Sequence, residues 1–170
     1  MVKAVIPQDW AQRIQQELVG NILPFWIQHT VDEVNGGFYG ALTNDLRIMN
    51  DVERSAVLCA RILWTYATAY RVFRDERYLQ VARHAYDYLT QRFWDADDGG
   101  VYWALDYRGE PVNDRKHVYA QAFAIYGLSE FHRATLEPDS LELAQELFGL
   151  IETHTFDAVN QGNLECRSRE

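Results

Sequence analysis

A segment that begins with two glycines occurs twice in this chain. Residues 36–51 read GGFYGALTNDLRIMND, and residues 99–114 read GGVYWALDYRGEPVND. Seven of the sixteen aligned positions are identical, whereas average composition would give about one identity by chance. Because self-similarity at a fixed period is the signature of repeat architectures, we infer that the chain is built from one repeated structural unit.

The repeat extends beyond this segment. Residues 77–89 align with residues 139–151 at nearly the sequence separation that relates the two glycine segments, and this alignment pairs Tyr86 with Phe148. WDADDGG at 94–100 aligns in the same way with FDAVNQG at 156–162, so a third copy has begun before the chain stops. Because this offset is nearly constant, we expect residues 1–170 to form a single partial domain that is cut inside the third repeat.

Each unit is predicted to contain a hairpin, a helix, a short turn and a second helix. Apolar residues recur at helical intervals through residues 50–73, which predicts a long amphipathic helix. Asn50 is the expected N-cap of this helix, with Glu53 at capping-box spacing. Residues 113–135 are predicted to form the equivalent helix of the second unit.

The second helix of each unit has its own start signal. Asp75 is expected to cap a helix that runs to about Trp94, and EPDS at 137–140 opens the equivalent helix of the next unit. Residues 7–30 predict one further helix before the first hairpin, and we expect Pro24 to bend this helix or end it early.

A helix pair cannot bury its apolar face alone, so stacked pairs share a continuous core in an open solenoid or in a closed ring. Long helices that alternate with glycine-started hairpins favour an all-α toroid, in which one helix of each pair lines a central cavity. An open solenoid is the alternative. The pairs Gly36–Gly37 and Gly99–Gly100 are expected to supply positive φ angles or a close approach where the chain turns.

Charge and cysteine content exclude several classes of partner. A formal net charge of −9 leaves no basic patch for phosphate groups, so we expect no nucleic-acid and no membrane partner. Cys59 and Cys166 are too few for a disulfide framework. The opening residues lack an apolar core of secretory length, and no window reaches the roughly 20 apolar residues of a membrane span. We therefore expect a cytoplasmic protein.

Two predicted inner helices carry polar residues that could serve a site. Arg61 has apolar neighbours in CARILW, and an arginine on an inward face needs an anion or a hydrogen-bond partner. The alternative is that Arg61 faces solvent or pairs with a structural carboxylate. Tyr119 and Gln121 present a hydroxyl and an amide from the equivalent helix, although such residues more often belong to a core or a rim.

The remaining chemistry in the sequence is sparse. An aromatic content of 14% suits sugar binding, because aromatic faces stack on pyranose rings, and Trp103 in a hairpin is the tryptophan best placed to face a cleft. The sequence contains no glycine-rich phosphate-binding loop, no G-x-S-x-G nucleophile motif, no H-E-x-x-H zinc-binding motif and no paired-cysteine motif. Its five histidines are scattered along the chain. We interpret the aspartates of WDADDGG as a solvated turn and expect no bound metal.

Five segments together resemble the N-acylglucosamine 2-epimerase superfamily, and most closely its cellobiose 2-epimerase branch. They are GGFYG, ARILWTYATAY, FWDADDGGVYWALDYRGEP, KHVYAQAFAIYGLSEFHRAT and LFGLIETHTFD. The resemblance runs from about residue 10 to the last residue. Members of this family form an (α/α)6 barrel, which is six helix pairs closed into a ring. The resemblance therefore implies an incomplete (α/α)6 toroid with short β-hairpins between its units.

The resemblance also implies proton transfer at C2 of a reducing-end sugar, either a monosaccharide or a cellobiose-type disaccharide, without a cofactor. In family enzymes one histidine removes the C2 proton beside the carbonyl, and a second returns a proton to the other face of the enediolate. Arg61 matches the family's catalytic arginine, which stabilises the developing oxyanion, and Tyr119 matches a substrate-binding tyrosine. The matching histidines lie beyond the end of this chain, which implies the inactive N-terminal part of an epimerase.

Two other functions stay open at this point. A non-catalytic helical-repeat binding or scaffold protein would turn over no saccharide, even with a complementary C-terminal half supplied. An aldose–ketose isomerase of the same superfamily would use the same enediolate and protonate C1 instead of C2.

We predict that the isolated chain is oligomeric or poorly soluble. With under half of a ring, the faces around Arg61 and Tyr119 lack their neighbours, and the apolar edge is left for self-association or for a complementary C-terminal half. Light scattering on the purified chain tests this expectation, and a stable, monodisperse monomer would contradict it.

Overall fold

The computed structural model describes residues 9–167, most of which lie in helices. The chain divides after Val31 into two compact units. None of the helices in the described residues has the length and apolar character that crossing a bilayer requires. Six α-helices lie in this part of the chain: α1 (Trp10–Glu17), α2 (Leu23–Thr30), α3 (Ala56–Phe73), α4 (Glu76–Tyr88), α5 (Val118–Thr135) and α6 (Pro138–Thr155).

The first unit contains α1 and α2, which are joined by a π-helical turn. This turn spans Leu18–Ile22, so helical backbone runs from Trp10 to Thr30 without a break. Pro24 lies in the first turn of α2. The early end that the sequence suggested at Pro24 is therefore wrong, and the helix instead changes its winding immediately before the proline. Residues 7 and 8 of the predicted helix lie outside the described residues.

The second unit repeats one helix pair. α3 packs against α4, α5 packs against α6, and the two equally long helices α3 and α5 lie side by side. Both of these helices end at a residue in the left-handed conformation, Arg74 (φ 57°) and Leu136 (φ 62°), which are equivalent positions of the repeat. The repeat found in the sequence is therefore also a repeat of backbone conformation. The predicted all-α class is confirmed.

Short antiparallel strands join the helix pairs. The seven strands of the described residues are β1 (Arg54–Ser55), β2 (Ala104–Leu105), β3 (Pro111–Asn113), β4 (Lys116–His117), β5 (Phe156–Asp157), β6 (Gly162–Asn163) and β7 (Cys166–Arg167). β1 pairs with β2, and one repeat later β4 pairs with β7 in the same register. The second and third hairpins are therefore each hydrogen-bonded to the strand that leads into the first helix of the preceding unit.

The paired glycines adopt the backbone that the sequence predicted. Gly36, Gly37, Gly99 and Gly100 all have positive φ angles, between 67° and 79°. The amide N–H groups of Asp32 and Asp95 donate to the carbonyl groups of Gly37 and Gly100, at 3.0 and 2.8 Å. These left-handed residues let the chain reverse direction after the helix that precedes them, which is why both copies begin with two glycines.

Two of the predicted helix starts are wrong. α3 begins at Ala56, so Asn50 is not its N-cap, and α5 begins at Val118 instead of residue 113. The residues before each helix pair with a hairpin that lies far away in sequence, and this long-range pairing overrides the local capping signal. The other start signals are confirmed, because Asp75 accepts the backbone N–H of Arg77 at 3.0 Å and α6 begins at Pro138.

An aspartate closes each turn that follows a helix pair or the N-terminal helix, and the first two of these aspartates are buried. Asp32 accepts the backbone N–H groups of Val34 and Asn35, and Asp95 accepts those of Asp97 and Asp98. The prediction that WDADDGG forms a turn is therefore confirmed, but the turn is only partly solvated, because Asp95 is fully buried while Asp97 and Asp98 are exposed. We call Asp32, Asp95 and their third equivalent, Asp157, the turn carboxylates.

Each of the first two turn carboxylates binds a cationic side chain from the strand that precedes α3 or α5. Arg54 of β1 donates to Asp32, and both side chains are at most 3% exposed. Lys116 of β4 donates to Asp95 at 2.9 Å. Burial opposes the ionisation of both aspartates, but hydrogen bonds from these cations and from the turn outweigh it, so the pKa of each lies below its ordinary value.

We predict that Asp32→Asn lowers the free energy of unfolding at neutral pH by about 3–5 kcal/mol, because it leaves Arg54 buried without a counter-charge. The folded-state pKa of Asp32 is lowered, so its contribution is present above the unfolded pKa of about 3.9 and is lost as pH falls through the folded value. The difference in urea midpoint between the wild-type protein and Asp32→Asn should therefore become smaller as the pH falls.

Asp87→Asn is the control, because Asp87 is an exposed carboxylate on α4. It should change the free energy of unfolding by less than about 0.5 kcal/mol. A difference in urea midpoint between wild type and Asp32→Asn that is as large in acid as at neutral pH would contradict the prediction.

The close approach of α3 and α5 predicts opposite effects for two glycines. A Cβ at Gly127 would lie 2.7 Å from the carbonyl oxygen of Ala60, whereas a Cβ at Gly149 on α6 would have no atom within 4 Å. Gly127→Ala should destabilise the protein by about 1–3 kcal/mol through overpacking. Gly149→Ala should stabilise it by up to about 1 kcal/mol through helix propensity. Thermal unfolding compares the two, and equal effects would rule out the close approach.

Candidate active site

An open groove of about 750 Å³ runs along the exposed faces of α3 and α5. α3 contributes residues 61, 64 and 65, and α5 contributes residues 119, 122, 123 and 126. These positions recur at helical intervals, so the side chains of each helix project from one face. The groove is lined by Arg61, Trp64, Thr65, Tyr119, Ala122, Phe123 and Tyr126.

Arg61 is the charged residue of this groove. Its side chain is exposed, and its Cζ atom lies 5.9 Å from the ring centroid of Phe123 on α5. None of the ion pairs formed by residues 9–167 involves Arg61. The alternative in which Arg61 serves a structural carboxylate is therefore not realised in the described part of the chain. Its guanidinium is available for a ligand that carries negative charge.

Aromatic rings form the rest of the groove wall. Trp64 and Tyr126 are stacked, with centroids 4.9 Å apart and planes 12° from parallel. Phe123 meets Tyr119 and Tyr126 edge to face, at centroid distances of 4.9 and 6.2 Å. Tyr119 is 58% exposed and Tyr126 is 46% exposed, so both present a ring and a hydroxyl group to the groove. Such surfaces suit the apolar faces and hydroxyl groups of a sugar.

The structure brings Arg61 and Tyr119 into one groove and leaves Gln121 outside it. The side-chain amide of Gln121 is buried and binds both backbone groups of Val101, donating to the carbonyl oxygen at 2.7 Å and accepting the N–H at 2.8 Å. Gln121 thus connects α5 to the second hairpin and is a scaffold residue. The ring of Trp103 packs on the ring of His117, with centroids 4.3 Å apart, and Trp103 is also not among the residues that line the groove.

No histidine lies among the residues that line the groove in the described part of the chain. His84 and His132 instead bind the backbone carbonyl groups of Gly37 and Glu137, at 2.9 and 2.8 Å. The groove can therefore bind a ligand and stabilise negative charge, but the side chains that line it within residues 9–167 include no imidazole that could move a proton.

Sequence reasoning missed three of the aromatic residues, Trp64, Phe123 and Tyr126. The sequence analysis expected Trp103 to face a cleft and singled out none of these three residues. A signal was present, because Phe123 and Tyr126 are the equivalents of Arg61 and Trp64 in the next repeat. Equivalent positions on two adjacent inner helices lie side by side in a repeat structure, which places all four on one wall.

A family model described as N-acylglucosamine 2-epimerase (GlcNAc 2-epimerase) matches residues 37–170. The chain belongs to the N-acylglucosamine 2-epimerase family. Within this family it is 50% identical to a cellobiose 2-epimerase of Bacteroides fragilis over 159 residues, which are 94% of this chain and 41% of that protein. It is 42% identical to a cellobiose 2-epimerase of Ruminococcus albus over 85% of this chain and 37% of that protein.

Solved structures of the family agree with these sequence matches. The structure of the cellobiose 2-epimerase from Bacillus thermoamylovorans matches with a TM-score of 0.89 and 42% identity, over 93% of this chain and 40% of that one. The expected resemblance and the incomplete (α/α)6 fold are thereby confirmed. The chain spans about two fifths of the length of these relatives.

Proposed function

We propose that this chain is the N-terminal part of a sugar 2-epimerase that acts at C2 of a reducing-end sugar, with a cellobiose-type disaccharide as substrate. The observation that carries the proposal is the exposed guanidinium of Arg61 in an aromatic groove. The 50% identical relative is a cellobiose 2-epimerase, which supports the choice of substrate. The groove volume of about 750 Å³ lies within the range of small-molecule sites, about 300–1,000 Å³.

Arg61 would stabilise the charge that appears during the reaction. Removal of the C2 proton from the open-chain sugar gives an enediolate, whose negative charge develops on the former carbonyl oxygen. Guanidinium donors aimed at that oxygen stabilise the transition state more than the neutral substrate. Return of a proton to the opposite face of C2 completes the epimerisation, with no net change in atoms or electrons.

Tyr119 would bind the sugar through its exposed hydroxyl group, while the aromatic wall excludes water from one side. The groove lining within the described residues includes no imidazole that could move the protons. The family resemblance implies two histidines for that role. We therefore propose that residues 1–170 alone show no epimerase turnover and that they supply the charge-stabilising and sugar-binding wall of a larger site.

A chimera tests the proposal. Residues 1–170 replace the corresponding part of the Bacteroides fragilis relative, and the product formed from cellobiose is identified by carbon-13 NMR. We expect glucosyl-mannose from the chimera and no product from residues 1–170 alone. Arg61→Ala in the chimera should lower kcat by about 10²- to 10³-fold, as the loss of one oxyanion donor does in other enzymes.

Arg83→Ala is the matched control, because Arg83 is an exposed arginine on α4 that does not line the groove. It should leave kcat unchanged, and thermal unfolding should show that both variants are folded. A ketose product would identify an aldose–ketose isomerase instead. A folded chimera without turnover would refute the enzymatic role and favour a binding protein.

A further inference from the structure

The guanidinium of Arg61 lies over an aromatic ring. Its Cζ atom is 5.9 Å from the ring centroid of Phe123, within the roughly 6 Å over which a cation and an aromatic face attract each other. The arginine side chains that donate hydrogen bonds or form ion pairs within residues 9–167 do not include Arg61. In the described part of the chain, the contact that can orient this guanidinium is therefore the ring of Phe123.

An exposed arginine needs such a contact if it is to stabilise a transition state. Its long side chain has many rotamers, and holding one of them costs conformational entropy. Electrostatic stabilisation is effective when the donors are aimed at the developing charge before the reaction begins. A ring beneath the guanidinium restricts the planar face and leaves the N–H groups at the edge free to donate. Phe123 can thus orient Arg61 without using its donors.

Phe123 is itself held by neighbouring rings. It meets Tyr119 and Tyr126 edge to face, with centroids 4.9 and 6.2 Å apart. Tyr126 in turn stacks on Trp64 of α3, at 4.9 Å. The contacts therefore lead from Arg61 across to α5 and return to α3 at Trp64, three residues after Arg61 and on the same face of the helix. We call this set the cross-helix quartet, and its members are Arg61, Trp64, Phe123 and Tyr126.

Both cross-helix contacts of the quartet join equivalent positions of the repeat. Phe123 is the equivalent of Arg61, and the stacked pair is related in the same way. The two helix backbones approach closely at this level, because a Cβ at Gly127 would lie 2.7 Å from the carbonyl oxygen of Ala60. Gly127 and Ala60 are each adjacent in sequence to a quartet residue. The close approach therefore fixes the spacing between the ring and the arginine.

Side-chain exposure distinguishes Phe123 from the tyrosines beside it. Tyr119 is 58% exposed and Tyr126 is 46% exposed, whereas Phe123 is half-buried between them. The guanidinium of Arg61 lies over the ring of Phe123. These features fit a ring that supports Arg61 better than a ring that stacks on a sugar.

We infer that Phe123 is a positioning residue, whose ring holds the guanidinium of Arg61 so that its N–H donors point to the oxyanion site before the sugar binds. The part of this inference that concerns the oxyanion rests on the proposed function. The orientation of Arg61 by Phe123 does not, because it exists without a ligand and can be measured without one.

NMR tests the orientation directly. Arginine is labelled with nitrogen-15 in residues 1–170 and in the chimera, and the Nε–H signal of Arg61 is identified by its loss in Arg61→Ala. We expect Phe123→Leu to lower the order parameter of this group below about 0.6, the range of flexible groups. Phe123→Tyr keeps the ring and should retain the wild-type value. An unchanged order parameter in Phe123→Leu would overturn the inference.

Tyr70→Leu is the matched control. Tyr70 on α3 also lies beneath an arginine, with the Cζ atom of Arg74 5.7 Å from its ring centroid, and it does not line the groove. This variant should leave the Arg61 signal unchanged, and equal effects of Tyr70→Leu and Phe123→Leu would contradict the inference. Thermal unfolding shows whether each variant is folded. Phe123→Met, which also lacks a ring, repeats the test if the leucine variant is unfolded.

A double-mutant cycle in the chimera tests the catalytic consequence. Phe123→Leu should lower kcat by about 3- to 30-fold, the range of one cation–π contact, while KM changes by less than about twofold. Phe123→Tyr should restore most of the lost kcat. In the Arg61→Ala background, Phe123→Leu should have no further effect, because it acts through Arg61. Independent losses that multiply in the double variant would identify a direct sugar contact and overturn the inference.

The two measurements separate this inference from the proposed function. A chimera without turnover would refute the enzymatic role, and the NMR measurement would still decide whether Phe123 positions Arg61. A mobile Arg61 in an active wild-type chimera would refute the inference and leave the enzymatic role intact.

Discussion

A turn carboxylate forms a buried ion pair with the strand before α3 and again with the strand before α5, and these two pairs anchor the fold. Arg54 and Asp32 are almost fully buried, so neither can be displaced without leaving a charge in the interior. This pair sets the point at which β1 ends and α3 begins. Arg61, about one and a half turns into α3, is thereby held at a fixed position along that helix. The pair of Asp95 with Lys116 does the same for α5.

The groove follows from placing two such helices side by side. Gly127 allows the backbones of α3 and α5 to approach, and the repeat then brings equivalent positions of the two helices together. Repetition of the backbone does not require repetition of the side chain. Where α3 has an arginine, α5 has Phe123, so one position supplies a charge and its equivalent supplies the ring beneath it.

Much of this architecture was readable from the residues, and the two wrong helix starts share one cause. The period, the glycine turns, the cap at Asp75 and the start at Pro138 depend on nearby residues, and all were predicted. The starts of α3 and α5 were predicted too early, because β1 and β4 pair with hairpins that lie far along the chain. The capping signal at Asn50 is local, and strand pairing at long range outweighs it.

Spacing, backbone preference and matching segments were enough to establish the repeat, the all-α class and the family from the residues alone. Three side-chain roles became clear only in the folded chain: Arg61 pairs with no carboxylate among the described residues, Gln121 is a scaffold residue, and Trp64, Phe123 and Tyr126 face a shared groove. The physical reason is that a side chain's role depends on which neighbouring helix supplies its partners. A one-dimensional pattern shows the face on which a residue lies, but not what lies opposite that face.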